Sequence, residues 1–99
     1  MPANMAELRG MIDALDDRLI DLLAERQQLI DHAIRLKRGN GLPARIDARV
    51  EEVAHHVARR AAERGLDPQL IDRIWRQLMD HFIAREAQAL GETDDSDDH

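Results

Sequence analysis

Residues 14–37 read ALDDRLIDLLAERQQLIDHAIRLK, and nearly all of this stretch follows one helical period. Its apolar positions belong to a seam of Leu8, Ile12, Leu15, Leu19 and Leu22, resumed at Leu29, Ala33 and Leu36. The steps alternate between four and three residues, the spacing of a helix that packs on another helix. Arg26 stands in the slot that the pattern reserves for leucine. Outward from this core, Asn4 is a good N-cap, and Glu7 three residues on makes something close to a capping box. At the other end Gly39, Gly41 and Pro43 form a breaker cluster just past Arg38. The pattern therefore predicts one helix of roughly 34 residues, ~50 Å long at 1.5 Å per residue.

Two shorter helices follow. The second opens near Asp47, read as its N-cap, carries Val50, Val53, Ala54, Val57 and Ala61 on one face, and stops at Gly65. The third starts with Asp67 as N-cap and Pro68 at the first helical position. Its apolar stripe is Ile71, Trp75, Leu78 and Phe82, flanked by Leu70, Ile74 and Met79, and it frays near Leu90. A compact domain of this size has a radius of gyration of ~13 Å. Two short helices cannot cover a straight ~50 Å helix, so its seam needs a partner. A homodimer with the two long helices side by side is the simplest solution, and a long curved helix in a monomer is the alternative.

Composition agrees with an all-α fold. The chain has 99 residues, enough for one domain with a modest core. Aromatic residues are 2% of it, so the 43% hydrophobic share is mostly aliphatic and suits helices better than sheets. There is no cysteine, which excludes disulfides and thiolate metal sites. The N-terminal MPANMAELRG has no apolar run, and no segment approaches the length needed to span a bilayer. A cytoplasmic protein without membrane attachment is expected. The net charge is −6, but Glu92, Asp94, Asp95, Asp97 and Asp98 account for most of it. Residues 92–99 are read as a disordered acidic tail and residues 1–91 as the helical domain. The nearly neutral body is no footprint for nucleic acid.

Charges in apolar positions are the functional signal. Lys37 lies eleven residues after Arg26, three turns and only about 20° of rotation further on. The two cations point the same way, ~16 Å apart at their α-carbons, with Ile30 and Ala33 as an apolar floor between them. A small anion between them could touch both. The plainer alternatives are an Arg26 whose stem packs while its head reaches water, and a Lys37 that simply favours the helix dipole. Glu86 shows the reverse anomaly: it continues the stripe of Trp75, Met79 and Phe82 as a carboxylate, unless fraying leaves it wet. Arg49 sits in the first turn of its helix, against the dipole, which suits a nearby anion. Arg9 lies about a quarter turn off the Arg26 face and could serve a partner's pocket in an antiparallel dimer. The pairs Glu51–His55 and Glu52–His56 read as a solvated face rather than a metal site. No Ser-His-Asp order, phosphate loop or HExxH motif is present.

These features resemble a known family, the small all-helical chorismate mutases, from about Ala6 to Ala89. The resemblance is carried by LRGMIDALDDRLIDLLAER at 8–26, Lys37 eleven residues further, LPARIDARV at 42–50 and GLDPQLIDRIW at 65–75. It implies an intertwined dimer of three-helix chains. It implies a cofactor-free, metal-free reaction in which chorismate, a small dicarboxylate, becomes prephenate by intramolecular rearrangement, in the shikimate pathway toward aromatic amino acids. Such an enzyme holds a flexible dianion in a compact conformer and places donors on the ether oxygen, where negative charge grows. Carried over by position, Arg26 would bind a substrate carboxylate, and Arg9 would do so from the other subunit. Arg49 would help form the anionic pocket. Lys37 would donate to the ether oxygen, with Glu86 where the family commonly has glutamine as second donor.

Three departures from the family pattern stand out. A carboxylate has no proton to donate, so Glu86 must be protonated to help, and activity should fall as pH rises. Val50 stands where typical mutases have a glutamate that accepts from the substrate's C4 hydroxyl. Phe82 stands where many have a small polar residue. The last two resemble the isochorismate-pyruvate lyase branch, which forms salicylate; a mutase of the 4-amino analogue is a further alternative. Chorismate mutase is ranked first, on the length of the Lys37–Arg49 loop. A helical dimerisation or regulatory module with a decayed pocket is the non-enzyme alternative.

Overall fold

A computed structural model describes residues 1–91; the expected acidic tail lies outside the described residues. Three helices follow in order: α1 (Met5–Asn40), α2 (Asp47–Glu63) and α3 (Pro68–Leu90). The described residues are all-α. The chain divides into two compact units, Met1–His32 and the part from Ala33 onward.

In the first unit the helix start is as expected. The Asn4 side chain accepts from the Glu7 amide at 2.9 Å, while Glu7 Oε1 accepts from the Ala3 amide, also at 2.9 Å. This is a capping box shifted outward by one residue. The large apolar side chains of the expected seam lie open: Leu15 is 54% exposed, Leu19 56%, Leu22 56% and Leu29 72%. Arg26 is half-buried in the same seam, the inverse of the usual distribution of charged and apolar side chains.

In the second unit α2 and α3 pack around Val50, Ala54 and Met79, with Val53, Trp75 and Ile83 against them. The face expected for α2 is the one that turns inward, Val50, Ala54 and Ala61 being its buried residues. The stripe of α3 is rotated from the expected one. Met79 and Glu86 are its buried centre, seven residues apart, while Leu70 and Ile74 are exposed. The run of apolar residues around α3 is broad, so periodicity alone did not set its phase.

The helix ends follow local chemistry. Asp67 caps α3 by accepting from the Gln69 amide, with Pro68 behind it. Asp47 does not cap α2: it is the first helical residue, and Ile46 occupies the cap without a side-chain hydrogen bond. The acid contributes to the dipole instead. At the C-termini of α1 and α2, Gly41 (φ +70°) and Gly65 (φ +80°) take the left-handed conformation. The next amides, Leu42 and Leu66, reach back to the carbonyls of Lys37 and Ala61. Both are Schellman turns, and the first places Lys37 at the mouth of the loop into α2.

Candidate active site

The expected site residues fall in both units: Arg9 and Arg26 in the first, Lys37, Arg49, Val50, Phe82 and Glu86 in the second. Within the second unit Lys37 and Glu86 meet. Lys37 Nζ donates to Glu86 Oε2 at 2.8 Å and to the Ala44 carbonyl at 2.8 Å. The Glu86 side chain is 8% exposed and that of Lys37 19%. Glu86 is therefore not on a frayed, wet turn. Α buried carboxylate needs a partner of this kind, because an isolated charge is costly to take out of water.

The loop between α1 and α2 is built to deliver that second acceptor. Its start is tied to Lys37 by the Schellman turn, and Ala44, only 3% exposed, turns its carbonyl onto the Lys37 ammonium. An ammonium has three N–H donors and no acceptor. Two are engaged among the described residues, which leaves one for a ligand. Arg38, next in sequence, donates to the Ala89 carbonyl in the last turn of α3.

The other expected residues have surroundings of their own. Arg49 is exposed and its guanidinium bonds Glu52 one turn on, at 2.8 Å. Val50 is buried against Ala54 and Met79, as a member of the α2–α3 core. Phe82 is half-buried, with its ring edge-on to His81 at 5.1 Å between centroids. Arg9 is exposed on the first unit.

Several contacts have no signature in the sequence. Arg45 bonds Asp80 of α3 at 2.6 Å and lies 3.5 Å from Asp47. Arg76 of α3 takes both oxygens of Glu51 on α2, each at 2.9 Å, and holds Asp72 through Nε. The hydrogen bond and charge of Arg76 hold the Glu51 carboxyl below the usual glutamate range. Glu51 is thereby engaged with Arg76 rather than free to ligate with His55. Among the described residues no group of three or more His, Asp or Glu side chains is arranged to hold a metal ion, and no helix is long and apolar enough to cross a membrane.

Comparison with known proteins adds the following. A family described as chorismate mutase type II matches residues 8–87. The chain is 37% identical over 97 residues to a T-protein of Haemophilus influenzae, covering 96% of this chain but 25% of that relative. It is 28% identical over 93 residues to a chorismate mutase of Methanocaldococcus jannaschii, covering 94% of each. It is 35% identical over 68 residues to a 4-amino-4-deoxychorismate mutase of Streptomyces venezuelae, covering 69% of this chain and 66% of the relative. The chain thus spans about a quarter of the T-protein and nearly all of the archaeal protein. No solved structure matches significantly.

Proposed function

The chain belongs to the chorismate mutase type II family, and on that premise we propose that it rearranges chorismate to prephenate as a cytoplasmic homodimer. The reaction breaks the substrate's ether C–O bond as a new C–C bond forms within one molecule. It needs no nucleophile and no net proton transfer. The protein's work is to hold the dianion compact and to stabilise charge on the ether oxygen.

The observation that carries this reading is the Lys37 ammonium, held by Glu86 and Ala44 with one N–H to spare. That N–H is the donor to the ether oxygen. Arg26 binds one substrate carboxylate, and Arg9 of the second copy binds in the same pocket. Arg49 leaves its surface partner Glu52 to complete the anionic site. Glu86, which only accepts as a carboxylate, holds the Lys37 ammonium in place beside the substrate. Support for the homodimer comes from the open seam of Leu15, Leu19, Leu22 and Leu29, an apolar surface that a second copy would cover.

Val50 favours a second reading. Buried against Ala54 and Met79, it offers no acceptor for a C4 hydroxyl, and an unpaired buried hydroxyl costs about 1–3 kcal/mol. A substrate with its hydroxyl elsewhere, isochorismate, avoids that cost, whereas an amine at C4 would meet the same apolar wall. Phe82 adds apolar surface in the same sense. The relative from Streptomyces venezuelae is named for the amino substrate.

Parallel turnover of chorismate and isochorismate tests the proposal. Prephenate from chorismate is the expected result. Salicylate and pyruvate from isochorismate alone would replace the mutase reading with the lyase. No turnover, and no thermal shift with a bicyclic dicarboxylate that mimics the transition state, would leave a helical dimerisation module.

A further inference from the structure

The direction of the free Lys37 N–H depends on its two acceptors, and these have very different supports. Glu86 is buried on a long helix, so its oxygen is well placed. The Ala44 carbonyl belongs to the short stretch between α1 and α2, whose backbone has no ladder of its own. What pins this stretch at its far side is the next residue. Arg45 bonds Asp80 of α3 at 2.6 Å. Asp80 precedes Glu86 by six residues on the same helix. One rigid element therefore carries both an acceptor of Lys37 and the anchor of the loop that supplies the other.

We infer that Arg45 and Asp80 are positioning residues for Lys37: their ion pair holds the 41–46 loop so that the Ala44 carbonyl sets where the lysine's remaining N–H points. The inference rests on the proposed role of Lys37 as donor to the substrate. Neither residue touches the reacting atoms. The pair is exposed, at 46% and 66% for the two side chains, so it adds little to global stability. Its effect is local, on the geometry of one donor, and catalysis is sensitive to such displacements.

The test compares wild type with Asp80→Ala, Arg45→Ala and the charge-swapped pair Arg45→Asp with Asp80→Arg. Three quantities are read: kcat and KM for chorismate, the thermal midpoint, and hydrogen exchange of the Leu42 amide without ligand. Each single variant should lower kcat about fivefold with little change in KM or midpoint. The swap should restore most of the loss. Leu42 exchange should speed up in both single variants and slow again in the swap, since that amide ties the start of the loop to the Lys37 carbonyl of α1.

A kcat unchanged in both single variants would overturn the inference, as would a loss shared equally by the swap. Should wild type turn over no chorismate, the proposed function fails instead. The exchange of Leu42 then still decides the latch: unaltered exchange in both single variants rules it out, and faster exchange reversed by the swap upholds it.

Discussion

Lys37 Nζ and Glu86 Oε2 lie 2.8 Å apart, although 49 residues separate them in the chain. The pair joins the last turns of α1 to the last turns of α3. It places a buried carboxylate beside the ammonium proposed as donor to the ether oxygen.

Glu86→Gln should raise turnover of chorismate. The Glu86 carboxylate accepts from Lys37 and has no proton to give a substrate oxygen, whereas the amide keeps the shape and always carries N–H donors. Steady-state kinetics of the variant checks this, and a kcat no higher than wild type would remove a donor at position 86 from the mechanism.

Lys37→Ala should reduce kcat by about 10²–10³, the size expected for one preorganised donor. The same change leaves Glu86 buried without its cation, which should cost stability by about 1–3 kcal/mol. Steady-state kinetics with a melt on the same sample separates the two effects. Lys37→Arg, which keeps the charge, should recover the melt more fully than the rate.

Arg9 and Arg26 should complement each other between subunits. If each pocket uses Arg26 of one copy and Arg9 of the other, a mixed dimer of Arg9→Ala and Arg26→Ala has one doubly damaged site and one intact site. Mixing the two inactive variants after unfolding and refolding should restore activity. A mixture as inactive as its components would mean that both arginines serve one chain, or that no such dimer forms.

Met79→Ala should cost about 2–4 kcal/mol by leaving a cavity between α2 and α3. Its side chain sits in the core with Val50 and Ala54. Chemical denaturation checks the size of the loss. The corresponding change at the exposed Ile74 should cost far less.

Glu51 should contribute to stability only above acid pH. The Arg76 guanidinium lowers its carboxyl below the ordinary glutamate value in the folded chain. In that window the unfolded chain binds more protons, so stability rises with pH. The contribution is complete above the unfolded value and is lost as pH falls through the folded one. Melting midpoints of wild type should exceed those of Glu51→Gln at neutral pH, and the gap should close on acidification.

Much of the fold could be read from residues alone. Asn4 with Glu7, Asp67 with Pro68, and glycines at 41 and 65 mark helix ends because capping is settled within one turn of chain. The inward face of α2 was legible for a similar reason: only one stripe of that helix is apolar. α3 was harder. Leu70, Ile71, Ile74, Leu78, Met79, Phe82 and Ile83 cover so much of its circumference that several rotations satisfy the period, and packing on Val50 and Ala54 selected the one centred on Met79.

The candidate site divides along the same line. Arg26 and Lys37 declare themselves as cations in an apolar register, and Glu86 as an acid in a buried stripe, because each violates a rule that spans a few turns. Their chemistry is thus written locally. That Lys37 meets Glu86 and the Ala44 carbonyl, and that Arg45 reaches Asp80, is not. Those contacts join groups seven to 49 residues apart. They exist because burial of Val50, Ala54 and Met79 fixes α3 against α2, and a hydrophobic free energy summed over that interface has no counterpart in any single stretch of the chain.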